Sequence, residues 1–315
     1  MDRILLTGGA GFIGSHLAQR LLQEGKCLAI VDDFDDFYSE DLKRANLEAV
    51  RAVGEFHFFQ ADIRSSEQLR KAFAAFQPDA VIHLAARPGV RPSFAQPEAY
   101  TSINVGGTTQ VLEASRLHGV QRFVFGSSSS VYGLSSCGPF REDADIRHPL
   151  SIYAATKVAG EAMAFTYAHA YGLSVVCVRL FTAYGPRQRP DLAIRKFSGM
   201  ILRGEEVPIF GDGSLLRDYT YVDDIADGIV LALNARGNFD VYNIGNSNPI
   251  SINEMVRILG RALGKPARCK YLPTPPGEML LTHADVTKAR EALGYSPKVT
   301  IQEGIRRYAE WLRQG

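Results

Sequence analysis

The sequence predicts an α/β fold, a doubly wound parallel sheet with a smaller C-terminal lobe. Three features predict it. Short apolar runs alternate with segments of helical periodicity as far as about residue 180, and a glycine-rich turn joins the first run to the first amphipathic segment. Beyond that point the rhythm breaks into shorter pieces rich in Gly and Pro.

The runs at 3–7 (RILLT), 27–32 (CLAIVD), 56–61 (FHFFQA), 80–85 (AVIHLA), 122–127 (RFVFGS) and 174–180 (SVVCVRL) read as strands. Helical periodicity falls around 13–24, 66–76, 101–118 and 152–171. Strand, crossover helix and strand in this order build a parallel sheet. Residues 1–178 are therefore expected to form one domain and 179–315 a ligand-facing lobe, with "GDGSLLRDYTYVDD" and "PTPPGE" as loops. The chain is expected to return to the first domain near 220–245, where "YTYVDDIADGIVLALN" and "VYNIG" read as a helix and a strand of the main sheet.

A net charge of +1 gives no global field for nucleic acid or an anionic membrane, so a small ligand met by local basic residues is expected. The cysteines, Cys27, Cys137, Cys177 and Cys269, have neither C-x-x-C spacing nor an accompanying His cluster. That argues against a metal site and fits reduced thiols. No apolar stretch approaches the roughly 20 residues that span a bilayer. "MDRILLTGG" begins directly on a strand, and a cytoplasmic protein is expected.

The turn "TGGAGFIG" carries Gly9, Gly11 and Gly14 in G-x-G-x-x-G spacing, and Gly8, Gly11 and Gly14 in G-x-x-G-x-x-G spacing. It follows a strand and opens a helix, where glycines let the backbone approach a pyrophosphate and the helix N-terminus supplies N–H donors. Gly8, Gly11, Phe12, Ile13 and Gly14 are the expected cradle. Asp32 ends the second strand 18 residues past Gly14, in reach of an adenosine ribose; its carboxylate accepts from ribose hydroxyls and repels a 2′-phosphate. The fold is thus a Rossmann fold and the cofactor NAD in preference to NADP. Asp62 and Ile63 of "QADIRS" fall where an adenine ring lies, and Leu84, Ala85 and Ala86 of "HLAA" reach the same crevice. His83 reads as a hydrogen-bonded core histidine.

"YAATK" puts Tyr153 and Lys157 four residues apart on one helix face. A nearby ammonium favours phenolate over phenol and prepares a general base. "FGSSSSVYG" places four serines, 127–130, at a strand end facing the same sheet edge.

"TGGAGFIGSH", "HLAA", "SSSSVYG", "YAATK" and "RDYTYVDD" together resemble the extended short-chain dehydrogenase/reductase family, and within it the NAD-dependent nucleotide-sugar epimerases. The resemblance covers essentially the whole chain. It implies Tyr153 as the base, Lys157 on the nicotinamide ribose, Ser128 on the reacting sugar hydroxyl and Asn104 in the cofactor pocket. It also implies a homodimer joined through the helices at 101–118 and 152–171. Related 4,6-dehydratases carry an Asp-Glu pair at the positions of Ser129 and Ser130, and related decarboxylases a Glu at that of Ser130. Hydroxyls there argue for simple C4 epimerisation, in which NAD takes the C4 hydride and returns it to the other face of a 4-keto sugar.

"RLFTAYGPRQRPDLAIRKF" (179–197) has Thr182 where galactose-type epimerases carry Asn, followed by Arg187, Arg189, Arg195 and Lys196. This, with "DDFDDFYSEDLKRANL", resembles the uronate branch, which interconverts UDP-glucuronate and UDP-galacturonate. The implied substrate residues are Ser128, Ser129, Ser130, Thr182, Arg189, Lys196, Arg217 and Glu278, with Arg189 the strongest of the basic run. Arg87 departs from the uncharged residue usual in "HLAARPGVRPSF", and its role stays open. A neutral UDP-glucose or UDP-galactose epimerase, a UDP-glucuronate decarboxylase and a non-catalytic NAD sensor are the alternatives.

Overall fold

The computed structural model describes residues 1–134, 138–274, 279 and 281–314. Its first half alternates strand and helix: β1 (Arg3–Thr7), α1 (Phe12–Gln23), β2 (Cys27–Asp32), α2 (Glu40–Arg51), β3 (His57–Gln60), α3 (Ser66–Phe76) and β4 (Ala80–His83). The short α4 (Val90–Ala95) and α5 (Pro97–Tyr100) follow, then α6 (Thr108–Leu117), β5 (Arg122–Ser128), α7 (Ile152–Tyr171) and β6 (Val175–Leu180). The second half contains β7 (Thr182–Tyr184), α8 (Ala193–Arg203), β8 (Glu206–Phe210), β9 (Leu216–Arg217), β10 (Tyr219–Tyr221), α9 (Val222–Leu233) and β11 (Phe239–Ile244). It closes with β12 (Ile250–Ser251), α10 (Ile252–Leu263), β13 (Arg268–Leu272), α11 (Thr287–Leu293) and α12 (Ile301–Gln314).

Seven strands form one sheet in the order β11-β6-β5-β4-β1-β2-β3, every neighbouring pair parallel. Successive side chains on a strand point to opposite faces. Ile4 and Leu6 of β1 therefore pack with Leu17 and Leu21 of α1 and Ile229 of α9, while Leu5 packs on the other face with Phe73 of α3, Leu112 of α6 and Ala164 of α7. Burial on both faces explains why these strands read as nearly unbroken apolar runs. A further cluster joins Tyr184, Ile201, Ile258 and Ile305 from β7, α8, α10 and α12 in the C-terminal lobe. After β6 the chain leaves the main sheet, then returns through α9, which packs on α1, and β11, which pairs in register with β6 from Phe239↔Val175 to Ile244↔Leu180.

The strand order reverses between β1 and β4, which opens a crevice at their C-terminal ends. Two elements differ from the sequence reading. Helix α2 buries Lys43, Asn46, Leu47 and Val50, a face whose polar members hide it from an apolar-periodicity search. The helix expected over 101–118 begins instead with a π-helical stretch, Thr101–Gly107, before α6. Gly107 sits tight against Ile63, where a Cβ would come within 2.5 Å of the Ile63 side chain.

Candidate active site

The crevice opens into a cavity of about 680 Å³ that runs from the end of β1 to Arg217. Its floor is the turn between β1 and α1. Gly8 has φ +73°, and a Cβ there would lie 2.7 Å from the Ala85 N. A Cβ on Gly14 would lie 2.1 Å from the Gly8 carbonyl oxygen. Helix α1 starts at Gly11 with no side chain capping it, so the first N–H groups of Phe12, Ile13 and Gly14 face the cavity as anion donors.

At the end of β2, Asp32 is buried and accepts from the Ala10 N–H (3.0 Å) and the Phe34 N–H (3.0 Å). Burial raises its carboxyl above the usual range, with the Phe34 amide, Lys43 and the Ala10 amide opposing the rise. Each oxygen keeps a free lone pair for a ribose hydroxyl. The Tyr38 hydroxyl, buried in the same wall, has no hydrogen-bond partner among the described residues. A shape only glycine permits, a carboxylate in a ribose position and an orphaned phenol are what a dinucleotide would complete.

Across the crevice, β5 ends at Ser127 and Ser128, and a 3-10 turn over Ser129–Tyr132 curls the next serines back into the cavity. The Ser128 Oγ accepts from the Ser130 N–H (3.2 Å) and from the Ser130 hydroxyl (3.0 Å). Ser151 caps α7 by accepting from the Ala154 N–H at 3.1 Å, which fixes the helix start and places Tyr153 in its first turn. Tyr153 packs edge-to-face on Tyr100 at 6.3 Å. One turn later the Lys157 ammonium, buried, donates to the Gly126 carbonyl (2.7 Å) and lies 5.9 Å from the Tyr153 ring.

The electrostatics differ from the sequence reading. Burial raises the Tyr153 phenol above its ordinary value, while the Ser128 hydrogen bond and Arg189 pull it back. Burial also lowers Lys157 to about 8, with Glu161 opposing. The ammonium is aimed at a backbone carbonyl, so in the ligand-free protein desolvation outweighs its pull on the phenol. Between about 8 and the unperturbed 10.5 the folded state holds fewer protons than the unfolded state, so Lys157 adds stability as pH rises. Urea unfolding of the ligand-free protein and of Lys157→Met at pH 7 and pH 10 will show the native chain gaining on the variant over that interval.

Behind the serines, Glu161 accepts from the Ser127 hydroxyl (2.5 Å) and from Arg179 through Nε (3.0 Å) and Nη2 (2.8 Å). Arg179 also donates to Tyr132, whose hydroxyl donates to Asn243. This buried network joins β5, α7, β6 and β11. On the far side of the cavity stand Thr182 on β7, Arg189 and, on β9, Arg217. Arg189 is held by Asp191, Nε to Oδ1 and Nη2 to Oδ2, both 3.0 Å.

Gly8, Gly11, Phe12, Ile13, Gly14, Asp32, Ile63, Leu84, Ala85 and Ala86 thus line one cavity with Ser128, Ser129, Ser130, Tyr153, Lys157, Thr182, Arg189 and Arg217. Three expected residues are not part of it. Lys196 is exposed on α8, whose buried face is Ile194, Phe197, Ser198 and Ile201; the cavity lining ends at Leu192, before the helix begins. The Asp62 carboxylate is spent on Arg64. Asn104 is buried off the wall, its amide divided between the backbone of Arg87 and the Thr156 hydroxyl. Glu278 lies outside the described residues. Of the remaining arginines, Arg187 donates to Gln19 and Arg195 stacks on Trp311. His83 bridges the hydroxyls of Thr7 (2.7 Å) and Thr108 (3.0 Å), and burial lowers it to about 3. Phe37, Tyr38, Arg87 and Asp191 line the cavity without having been singled out for it; all come from loops with no periodic signal.

A Rossmann sheet with a glycine cradle, a Tyr-x-x-x-Lys pair and a facing serine strand defines a class. Residues 5–308 match the family described as GDP-mannose 4,6 dehydratase, and the chain belongs to that family of extended short-chain dehydrogenases/reductases. It is 42% identical over 315 residues to a UDP-glucuronate 4-epimerase of Thermodesulfobacterium geofontis, covering 100% of this chain and 97% of that one. It superposes with a TM-score of 0.92 on UDP-glucuronic acid 4-epimerase from Bacillus cereus in complex with UDP-glucuronic acid and NAD, at 38% identity and 99% coverage of both chains. A UDP-glucose 4-epimerase with UDP-glucose from Thermotoga maritima gives 0.91 at 34% identity, covering 99% of this chain and 98% of that one.

Proposed function

We propose that this protein catalyses the reversible C4 epimerisation of UDP-glucuronate and UDP-galacturonate, with NAD held over the glycine cradle. One observation carries the reading: Tyr153, Lys157 and Ser128 meet in the cavity with hydroxyls, not acids, at positions 129 and 130, opposite Thr182 and Arg189. The similarity to UDP-glucuronate 4-epimerases over the whole chain supports it.

NAD, when bound, supplies the acceptor and donor for the C4 hydride. Tyr153 takes the proton from the sugar 4-hydroxyl and gives it back after the sugar has turned over. The Ser128 hydroxyl, already held by Ser130, orients the reacting oxygen. Lys157 binds the nicotinamide ribose and keeps positive charge beside the phenolate as it forms. Ser129 and Ser130 have no carboxyl with which to eliminate water, so the chemistry stops at inversion.

The 4-keto intermediate of a uronate is a β-keto acid, which loses carbon dioxide when its C–C bond aligns with the ketone π system. Ser130, Thr182 and Arg189 hold the carboxylate out of that alignment; Arg189 exchanges Asp191 for the substrate to do so. Thr182→Ala will raise the ratio of UDP-pentose to epimerised product several-fold, read by chromatography of the nucleotide sugars.

The deciding experiment is to add UDP-glucuronate without NAD and follow the sugar proton spectrum for inversion at C4. A second reading, a neutral UDP-glucose epimerase, draws on the likeness to the Thermotoga maritima structure, and parallel assays with UDP-glucose separate the two. The same reading makes the protein a cytoplasmic homodimer. Leu117 on α6 and Phe165 and Tyr171 on α7 are each more than half exposed, apolar side chains that a second copy would cover. Among the described residues no helix is long and apolar enough to cross a membrane.

A further inference from the structure

Arg87 is a cavity residue that the proposed chemistry leaves unused. It stands two residues after Ala85, whose backbone packs against Gly8, and lines the same cavity as the glycine cradle. Its guanidinium crosses to the opposite wall, with Nη1 3.0 Å from Asp35 and Nη2 3.4 Å from Asp36. Those carboxylates belong to the loop that follows Asp32, the residue in the ribose position, so the bridge reaches the dinucleotide wall of the cavity.

Both ends of the bridge are anchored. The Arg87 N–H donates to the Asn104 side chain at 2.7 Å, and its carbonyl accepts from the same amide at 3.0 Å. On the other wall, the Phe37 ring lies between two guanidinium groups, 5.8 Å from that of Arg87 and 5.6 Å from that of Arg189. The arginine side chain is only 15% exposed, and its Nε is buried with no hydrogen-bond partner among the described residues. A charge held this way is committed to a position and not free in solvent.

We propose that Arg87 is a latch across the dinucleotide, closed by Asp35 and Phe37, which sets how fast the dinucleotide enters and leaves. This rests on the reading that the cradle holds NAD. A bridge that must open for passage in either direction slows arrival and departure together. An arginine placed on the phosphates would instead speed arrival and slow departure. The two arrangements therefore predict opposite changes in the association rate.

The test uses 1,N6-etheno-NAD, with association followed by stopped-flow fluorescence and dissociation by chase with excess NAD. Arg87→Gln is expected to raise both rate constants about fivefold to tenfold, the scale of one partly buried ion pair, leaving the dissociation constant within about twofold. Asp35→Asn, a change at a partly exposed carboxylate that spares the arginine, should do the same, and the double variant should add nothing further. Salt should move the native protein towards the variant rates and leave Arg87→Gln nearly unchanged. An unchanged dissociation rate in both single variants overturns the latch, as does a slower association in Arg87→Gln. If etheno-NAD fails to bind the native protein freed of its resident nucleotide, the cofactor reading falls and the latch falls with it. A failed latch alone leaves that binding intact.

Discussion

Tyr153→Phe lowers the rate of C4 inversion by about 10²–10⁴-fold, the range for removing a positioned general base, while NAD stays bound. The substitution deletes one hydroxyl from a ring that keeps its edge-to-face contact with Tyr100, so the helix and the cavity wall remain. Proton spectra of the sugar measure the first effect, and the nucleotide released on denaturing the purified variant measures the second. An unimpaired rate in the variant would remove the phenol from the mechanism and the Tyr153 assignment with it. The ring is already desolvated and the Ser128 hydroxyl already aimed, so little else in the site has to move for this oxygen to act.

The other large effect is expected at Gly14→Ala. The new Cβ would meet the Gly8 carbonyl oxygen at 2.1 Å and the Gly9 Cα at 2.8 Å. Both are backbone atoms of the cradle and neither can rotate away, so the turn itself has to open. Overpacking of this kind costs about 1–3 kcal/mol of stability. Affinity for NAD falls by about a hundredfold, roughly 2.7 kcal/mol, because the displaced atoms are those against which a pyrophosphate would rest. Calorimetric titration with NAD and thermal unfolding measure the two. Gly25→Ala is the control: its φ is +73° but nothing lies within 4 Å of the added methyl, so it carries backbone strain alone and leaves NAD affinity unchanged.

These residues were legible in the sequence because their relation is local. The cradle is one contiguous turn, and Tyr153 and Lys157 are one helical turn apart, so spacing alone brings each set together. Asp32 and the serines were legible because parallel strands all end at the same sheet edge. The misses are contacts between distant segments. Nothing near Asn104 announces that its amide is taken by Arg87, 17 residues earlier, and by Thr156, 52 residues later. Lys196 belongs to a basic run whose loop and helix turn its members to different neighbours, so Arg189 faces the cavity, Arg195 meets Trp311 and Lys196 meets solvent. Helix α2 escaped because its inward face includes a lysine and an asparagine that are satisfied only in the fold: Lys43 on the Asp35 carbonyl and Asn46 on the Ala10 carbonyl. The phenol's electrostatics were misjudged for a related reason, since spacing cannot report that Lys157 points at Gly126.

The return of the chain to pair β11 with β6 bears on how such proteins can diversify. A half stitched in at both ends cannot be exchanged like a tail. Cutting after β6 strips the sheet of its last strand and bares a row of unpaired amides and carbonyls, an invitation to self-association. A chimera meant to recognise a different sugar has to carry α9 and β11 with the recipient's sheet and graft only the stretches on either side. New specificity is reached more readily by changing single side chains at the cavity rim than by transplanting the lobe whole.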